Sequence, residues 1–384
     1  MALTTKQKSN IIGAVESASN GKQTVRFTSR DVPCFFNVID QFNIEDIDDT
    51  LGEGVHPAFI IDKVGTLANR ILVGTYLGSI QDGVLISTPD VVPVISKSHD
   101  ELATAAFACG NGFHLMTGVE FAMLRLLSYK NGWPNYGNTQ YGESWNNTEL
   151  FGRLSSRDYH IGNKSSDGSM RTLTGSGPSQ WRLDGTPTGV SDISGNLNDV
   201  VSGIRIVGNE FQVLVNNIGV QNISYFAQNS DEWKAISGAD GSFISPTNIG
   251  NLADGTYVAT TPGSVRIISS DDAPNVDYGL SHKLLEGSGR TSSIYITNTS
   301  RTVISEKAIA KLRLYGVMPL DITNKTDTIW TNLGGSVIGE CIFRMGGRYV
   351  VNPANKVTGI NTHDFSASRS SQGISAGGRI CYYE

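Results

Sequence analysis

The sequence predicts an α+β fold in which short strands and turns outnumber helices. Three features carry this expectation. The chain has 43 Gly in 384 residues and only 17% charged residues, a composition of turns and short strands more than of long solvated helices. From Val32 onward, short apolar runs alternate with Gly, Asp and Pro, as in the strands of a meander. Two segments then pair a reciprocal capping signal with apolar residues at helical spacing.

Residues 1–31 are polar, with Lys6, Lys8, Lys22 and a Ser/Asn/Gly-rich patch at Ser17 to Gly21, and read as an arm that could attach to something larger. Ile60-Ile61, Ile71 to Gly78 and Val84 to Ile86 follow as strands. Ser98 with Glu101 forms the first capping box, and Leu102, Ala105, Ala106 and Cys109 repeat at i, i+3, i+4, i+7 before Gly110 stops the helix. Thr117 with Glu120 forms the second. Phe121, Met123, Leu124, Leu126 and Leu127 give that helix a wide apolar stripe up to Asn131-Gly132, as expected of a helix pressed between layers.

Residues 131 to 200 have almost no periodicity, and so long a loop in a compact domain is usually functional or packed by its own aromatics. Ile204 to Val207 and Phe211 to Val215 flank Gly208-Asn209 as a hairpin, and a short helix is expected from Ser305 to Tyr315, ended by Gly316. The expected organisation is an arm over 1–31, a first domain part over 32–207, a β-rich insertion over 208–331 and a C-terminal part over 332–384.

A formal charge of −6 with scattered Lys and Arg offers no basic stripe for phosphates, so nucleic acid is not an expected partner. The longest apolar runs fall far short of the roughly 18 residues that span a bilayer, and Met1 to Val15 is too polar for a signal peptide, so no membrane insertion and assembly in the cytoplasm are expected. Cys34, Cys109, Cys341 and Cys381 lie far apart and read as buried free thiols. The histidines fall singly, which gives no metal site, and no cofactor is expected. The acidic group Glu45, Asp46, Asp48 and Asp49 lacks the glycine-turned spacing of a calcium loop and reads as a solvated turn. No GxSxG elbow, phosphate loop, HExxH or dinucleotide fingerprint is present, so no catalytic residue is assigned.

Five motifs stand in a distinctive order: Phe113 to Thr117 leading into a helix, Asp184 to Asn196 (DGTPTGVSDISGN), Arg344-Met345-Gly346-Gly347, Arg369-Ser370, and Gly378-Arg379. With both capped helices in place, this order resembles the formylglycine-generating-enzyme-like branch of the C-type-lectin-like fold. Within that branch it is most similar to the variable proteins of diversity-generating retroelements. The likeness covers about Val32 to Val207 and Gly335 to Glu384. Two departures stand out: Leu197-Asn198-Asp199-Val200 replaces the family's aromatic-acidic-aromatic run, and Tyr349 follows Gly-Gly one residue late.

The resemblance implies a binding protein, because Asn361 and Ser366 occupy the positions of the two cysteines that the enzymes of this branch carry before Arg-Ser. It also implies a diversified binding face between Gly346-Gly347 and the C-terminus. Adenine-directed mutation of the codons does not produce Gln or Lys, which sets Gln372 and Lys356 aside. Arg348, Tyr349, Asn352, Asn355, Thr362, His363, Ser366, Ser371 and Ser375 are the expected contact residues, and Gly346, Gly347, Arg369, Gly378 and Arg379 the expected framework. The expected role is host recognition at a phage tail tip or fibre. A cell-surface protein or glycan receptor and other tail proteins would be its partners, in a homo-oligomer for which a trimer is plausible. A bacterial display or intracellular binder of the same fold, and a virion decoration protein, are the alternatives.

Overall fold

The computed structural model describes residues 3–133, 136–163, 168–249, 258–268, 278–284, 292–295, 303–318, 320, 329–330, 339–349 and 359–384. Its architecture is mixed α+β, built on one antiparallel sheet of five strands and one larger mixed sheet.

In the first sheet the strands run in the order Gln23–Phe27, Pro33–Asp40, Arg70–Gly74, Ile380–Tyr383 and Phe113–Leu115. The C-terminal strand is therefore an interior strand, with Cys381 opposite Val73 on one side and His114 on the other. Strand alternation then sorts the side chains. Leu72 packs with Phe36, Ile380 and the apolar face of α2 (His99–Phe107), whereas Ile71 and Val73 pack with Phe121, Met123 and Leu124 of α3 (Gly118–Asn131).

Both expected helices form with their capping boxes. Ser98 accepts from the Glu101 main chain and Thr117 from that of Glu120, and each glutamate bonds back to its cap residue. Gly132 closes α3 in the left-handed conformation. The third expected helix is also present, over Glu306–Leu314 with Ser305 as its cap.

The expected hairpin pairs Asn198–Val207 with Glu210–Leu214, and its turn residues Gly208 (φ 51°) and Asn209 (φ 69°) are both left-handed, as a two-residue turn of this twist requires. The strand Asn198–Val207 also pairs with Glu340–Met345, which pairs with His363–Ser368. On its other side Glu210–Leu214 meets Val265–Ile268. From there the pairing continues through Tyr278–Leu284, Ser292–Tyr295 and Ile329–Trp330 back to His363–Ser368, so the strands close a ring. The rings of Phe211, Phe343 and Phe365 meet one another inside it.

The polar arm begins as a helix, α1 (Thr5–Ala18), capped by Thr4 and Gln7, and Gln23–Phe27 is the edge strand of the first sheet rather than part of an arm. The described strands of segment 208–331 pair with the chain on either side of it, Glu210–Leu214 with Asn198–Val207 and Ile329–Trp330 with His363–Ser368.

Among the described residues of the aperiodic stretch 131–200, polar side chains and one tryptophan supply the order. Asn138 and Asn196 bond the Met170 carbonyl and the Thr172 main chain, and buried Trp181 donates to Ser144 Oγ at 2.9 Å. The acidic group near residue 46 stitches its own loop: Glu45 accepts from Gly54 N, Asp46 from Asn43 N and Asp48 from Thr50.

Candidate ligand-binding face

The C-terminal segment is anchored by two guanidinium–carboxylate centres, the first partly and the second fully buried. At the first, Arg369 makes a bidentate fork with Glu340, Nε to Oε2 at 2.7 Å and Nη2 to Oε1 at 2.8 Å, and its Nη1 reaches Asp100 at 2.8 Å. Arg205 donates to the same Glu340 Oε1 at 2.9 Å. Burial pushes the Glu340 carboxyl up, but the two guanidiniums outweigh it and hold its pKa below the usual range. At the second centre, fully buried Arg379 donates to Asp199 Oδ2 through Nε and Nη2, both at 3.2 Å, and to the Gly74 and Asp192 carbonyls. Here burial dominates, and the Asp199 carboxyl is pushed up to about 6 although Arg379 opposes it.

The other expected framework residues are equally constrained. Gly346 has φ +90°, and a Cβ there would stand 2.3 Å from the Ile193 carbonyl oxygen, so only glycine fits without displacing main chain. Gly347 is also left-handed, and a Cβ on Gly378 would stand 2.9 Å from a methyl of Leu115.

The expected contact residues divide. Arg348, Ser366, Ser371 and Ser375 are half-exposed, with Ser368 and Ser370 exposed beside them. Arg348 Nη1 donates to Ser375 Oγ at 3.1 Å, and Ser368 Oγ lies 2.9 Å from Ser371 Oγ. Asn352 and Asn355 lie outside the described residues.

Tyr349, Thr362 and His363 are corrections, because all three are buried. Tyr349 packs with Leu77, Tyr141, Met170 and Leu197, and its main chain bonds Asn196 and Tyr141. Thr362 sits in the turn whose carbonyl accepts from Gly346 N. His363 begins a strand in which His363, Phe365 and Ala367 face inward, and its Nε2 lies 2.8 Å from both Arg125 Nη2 and the Gly316 carbonyl oxygen. Burial, reinforced by the Arg125 charge, keeps that imidazole well below its usual pKa and so neutral.

Two buried constellations were not revealed by the sequence. His99 Nε2 is 3.0 Å from Ser202 Oγ and His99 Nδ1 is 2.8 Å from Asp100, the order of a nucleophile, base and acid. Yet Ser202 is only 1% exposed, and the Phe226 ring lies edge-on to the imidazole. Burial lowers the His99 pKa, with Arg369 adding to it, and Arg369 shares the same Nδ1. The group ties α2, through His99, to the strand Asn198–Val207 and to Arg369.

The second constellation, His114, Glu120 and Cys381, places potential metal-ligating atoms within 4.8 Å of one another. Glu120 already accepts from Asn217 Nδ2 and the Thr117 main chain and lies 2.7 Å from His114 Nε2. Cys381 is held far above the usual thiol pKa by burial, and the Glu120 charge adds to it. Cys341 is likewise pushed up to about 11 by burial, and Cys34 and Cys109 to about 12, so none of the four offers a thiolate near neutral pH.

A groove of about 540 Å³ between the acidic loop and the helix Glu306–Leu314, lined in part by Leu51, Glu53, Lys307 and Leu314, shares no residue with the C-terminal face. Comparison of the chain with models of known protein families and with curated proteins finds no match.

Proposed function

We propose that this chain is a non-enzymatic binding protein of the C-type-lectin-like, formylglycine-generating-enzyme-related kind. In this reading it is diversified by a retroelement and carried at a phage tail tip or fibre, with a host cell-surface receptor as its partner. One observation carries the reading: half-exposed hydroxyl and guanidinium groups, Arg348, Ser366, Ser371 and Ser375, belong to a C-terminal segment that Arg369 anchors through its bidentate fork with buried Glu340. Adaptable hydrogen-bonding groups on a frame that does not move are what a surface needs if its side chains are to change while its backbone stays.

The thiols, all held protonated, and the sealed Ser202 favour binding over covalent catalysis. The C-terminal strand in the middle of the first sheet, with a capped helix on each face, supports the fold assignment.

Deep sequencing of the gene across one population of its source tests the reading. Substitutions are expected in the codons of Arg348, Ser366, Ser371 and Ser375. They should be absent from those of Gly346, Gly347, Arg369, Gly378 and Arg379, and also from those of buried Tyr349, Thr362 and His363. Substitutions spread evenly over both sets would count against a diversified face.

A further inference from the structure

The loop from Ser371 to Ser375 crosses two guanidiniums. Arg344 Nη2 lies 3.5 Å from the Ser371 carbonyl oxygen, and Arg348 Nη1 donates to Ser375 Oγ at 3.1 Å. The two cations are close enough to act on each other. Burial lowers the Arg344 pKa, Asp364 opposes that, and the Arg348 charge lowers it further. Asp364 is the acid beside Arg344, and its Oδ1 already accepts from Ser366 N at 2.9 Å and Ser366 Oγ at 2.7 Å.

Gly373 stands directly over Arg344. A Cβ there would lie 3.3 Å from Nη1, 3.6 Å from Nη2 and 3.7 Å from Cζ, so the missing side chain leaves the guanidinium uncovered from that side. At the far end of the loop a third guanidinium, that of Arg171, donates to the Gly168 carbonyl at 2.6 Å, with the Ile374 carbonyl close by. Guanidinium forks match the oxygens of sulfate, phosphate and carboxylate groups, and the serines beside them supply hydroxyl donors.

We propose, resting on the binding-face reading above, that the Arg344–Arg348 edge is the subsite for the anionic groups of an acidic cell-surface polysaccharide. The hydroxyl-rich surroundings suit a sugar polymer. A single-stranded nucleic acid would need aromatic platforms for its bases, and the aromatics adjacent to these arginines in the chain, Phe343 and Tyr349, are both buried.

The test uses the full chain and two immobilised probes, dextran sulfate and uncharged dextran, at about 50 mM and about 300 mM sodium chloride, between which ionic screening tightens. Retention on dextran sulfate alone, strongest at low salt, is expected. Arg344→Gln with Arg348→Gln is expected to weaken it about tenfold or more. Gly373→Val keeps the charge but covers the guanidinium, so an equal loss from it, with thermal stability unchanged, would assign the effect to this edge rather than to net charge.

Retention that neither variant alters overturns the proposal, as does competition by single-stranded DNA at equal charge that matches dextran sulfate. Cell adsorption measured in parallel separates the two levels. A chain that adsorbs to cells but ignores dextran sulfate overturns this subsite and leaves the binding face standing, whereas a chain that does neither overturns both.

Discussion

Replacing Glu340 with alanine is expected to cost about 3–5 kcal/mol of unfolding free energy, because it strands two guanidiniums that share one carboxylate. Its side chain is 1% exposed and that of Arg205 is 3% exposed, so water cannot take the place of the missing anion. Arg205 also lies 4.1 Å from the centre of the Trp233 ring and bonds Gln212, which in turn bonds Glu210, so the damage would spread along the central strands. Asp100 is the internal control. It pairs with the same Arg369 but is 64% exposed, and Asp100→Ala should cost no more than about 1 kcal/mol.

The pH dependence has a definite sign. The Glu340 carboxyl is held below its ordinary pKa, so its contribution is present above that value and is lost as pH falls through the folded one. Glu340→Ala should therefore remove part of the acid sensitivity of the wild type. Urea unfolding across that range measures both effects, and a cost under about 1 kcal/mol would show that the fork is not structural.

Arg379→Ala is expected to be as damaging, at about 3–5 kcal/mol, with the opposite pH signature. It leaves Asp199 buried alone, removes the donors to the Gly74 and Asp192 carbonyls and opens a void where no part of the side chain reaches solvent. Asp199 titrates at about 6 in the folded protein, above its ordinary 3.8, so its favourable contribution is present below the ordinary value and is lost as pH rises through 6. Without Arg379 that pKa climbs further, and the loss extends to higher pH. The variant should thus be hurt more near pH 8 than near pH 5. Asp199→Asn in the same chain should recover part of the loss. An equal cost at both pH values would contradict burial as the dominant influence on Asp199.

The parts of the fold that were legible in the sequence are those whose signal is local. Ser98 with Glu101, Thr117 with Glu120 and Ser305 each announce a helix start within one turn, and Gly208-Asn209 announces a hairpin, since these motifs satisfy main-chain groups within a few residues. Arg369 and Arg379 are bonded to Glu340 and Asp199, partners that are distant in sequence and have no local mark there.

The errors have a common physical source. Small polar residues were taken as outward, but in His363–Ser368 the two-residue alternation of a strand, with Phe365 and Ala367 as its apolar members, carries His363 inward with them. Thr362 and Tyr349 are drawn in by main-chain bonds to Gly346 and Asn196, which composition does not report. Helix α1 was missed for the converse reason. Its apolar positions, Ile11, Ile12 and Val15, are few and only half-buried, so the stripe is short, although Thr4 and Gln7 form the same capping box as the others.

Adsorption to intact cells with the face blocked tests the central claim most directly. Ser370 is exposed and lies in the turn after His363–Ser368, so Ser370→Trp places a bulky ring on the face without entering the core, and its stability should stay within about 0.5 kcal/mol of wild type. Val64, 89% exposed on a distant loop in the sequence, serves as the matched control through Val64→Trp. On cells that take up the wild type, Ser370→Trp is expected to reduce adsorption about tenfold or more while Val64→Trp leaves it unchanged. A folded Ser370→Trp chain that adsorbs like the wild type would show that the C-terminal face is not the binding site.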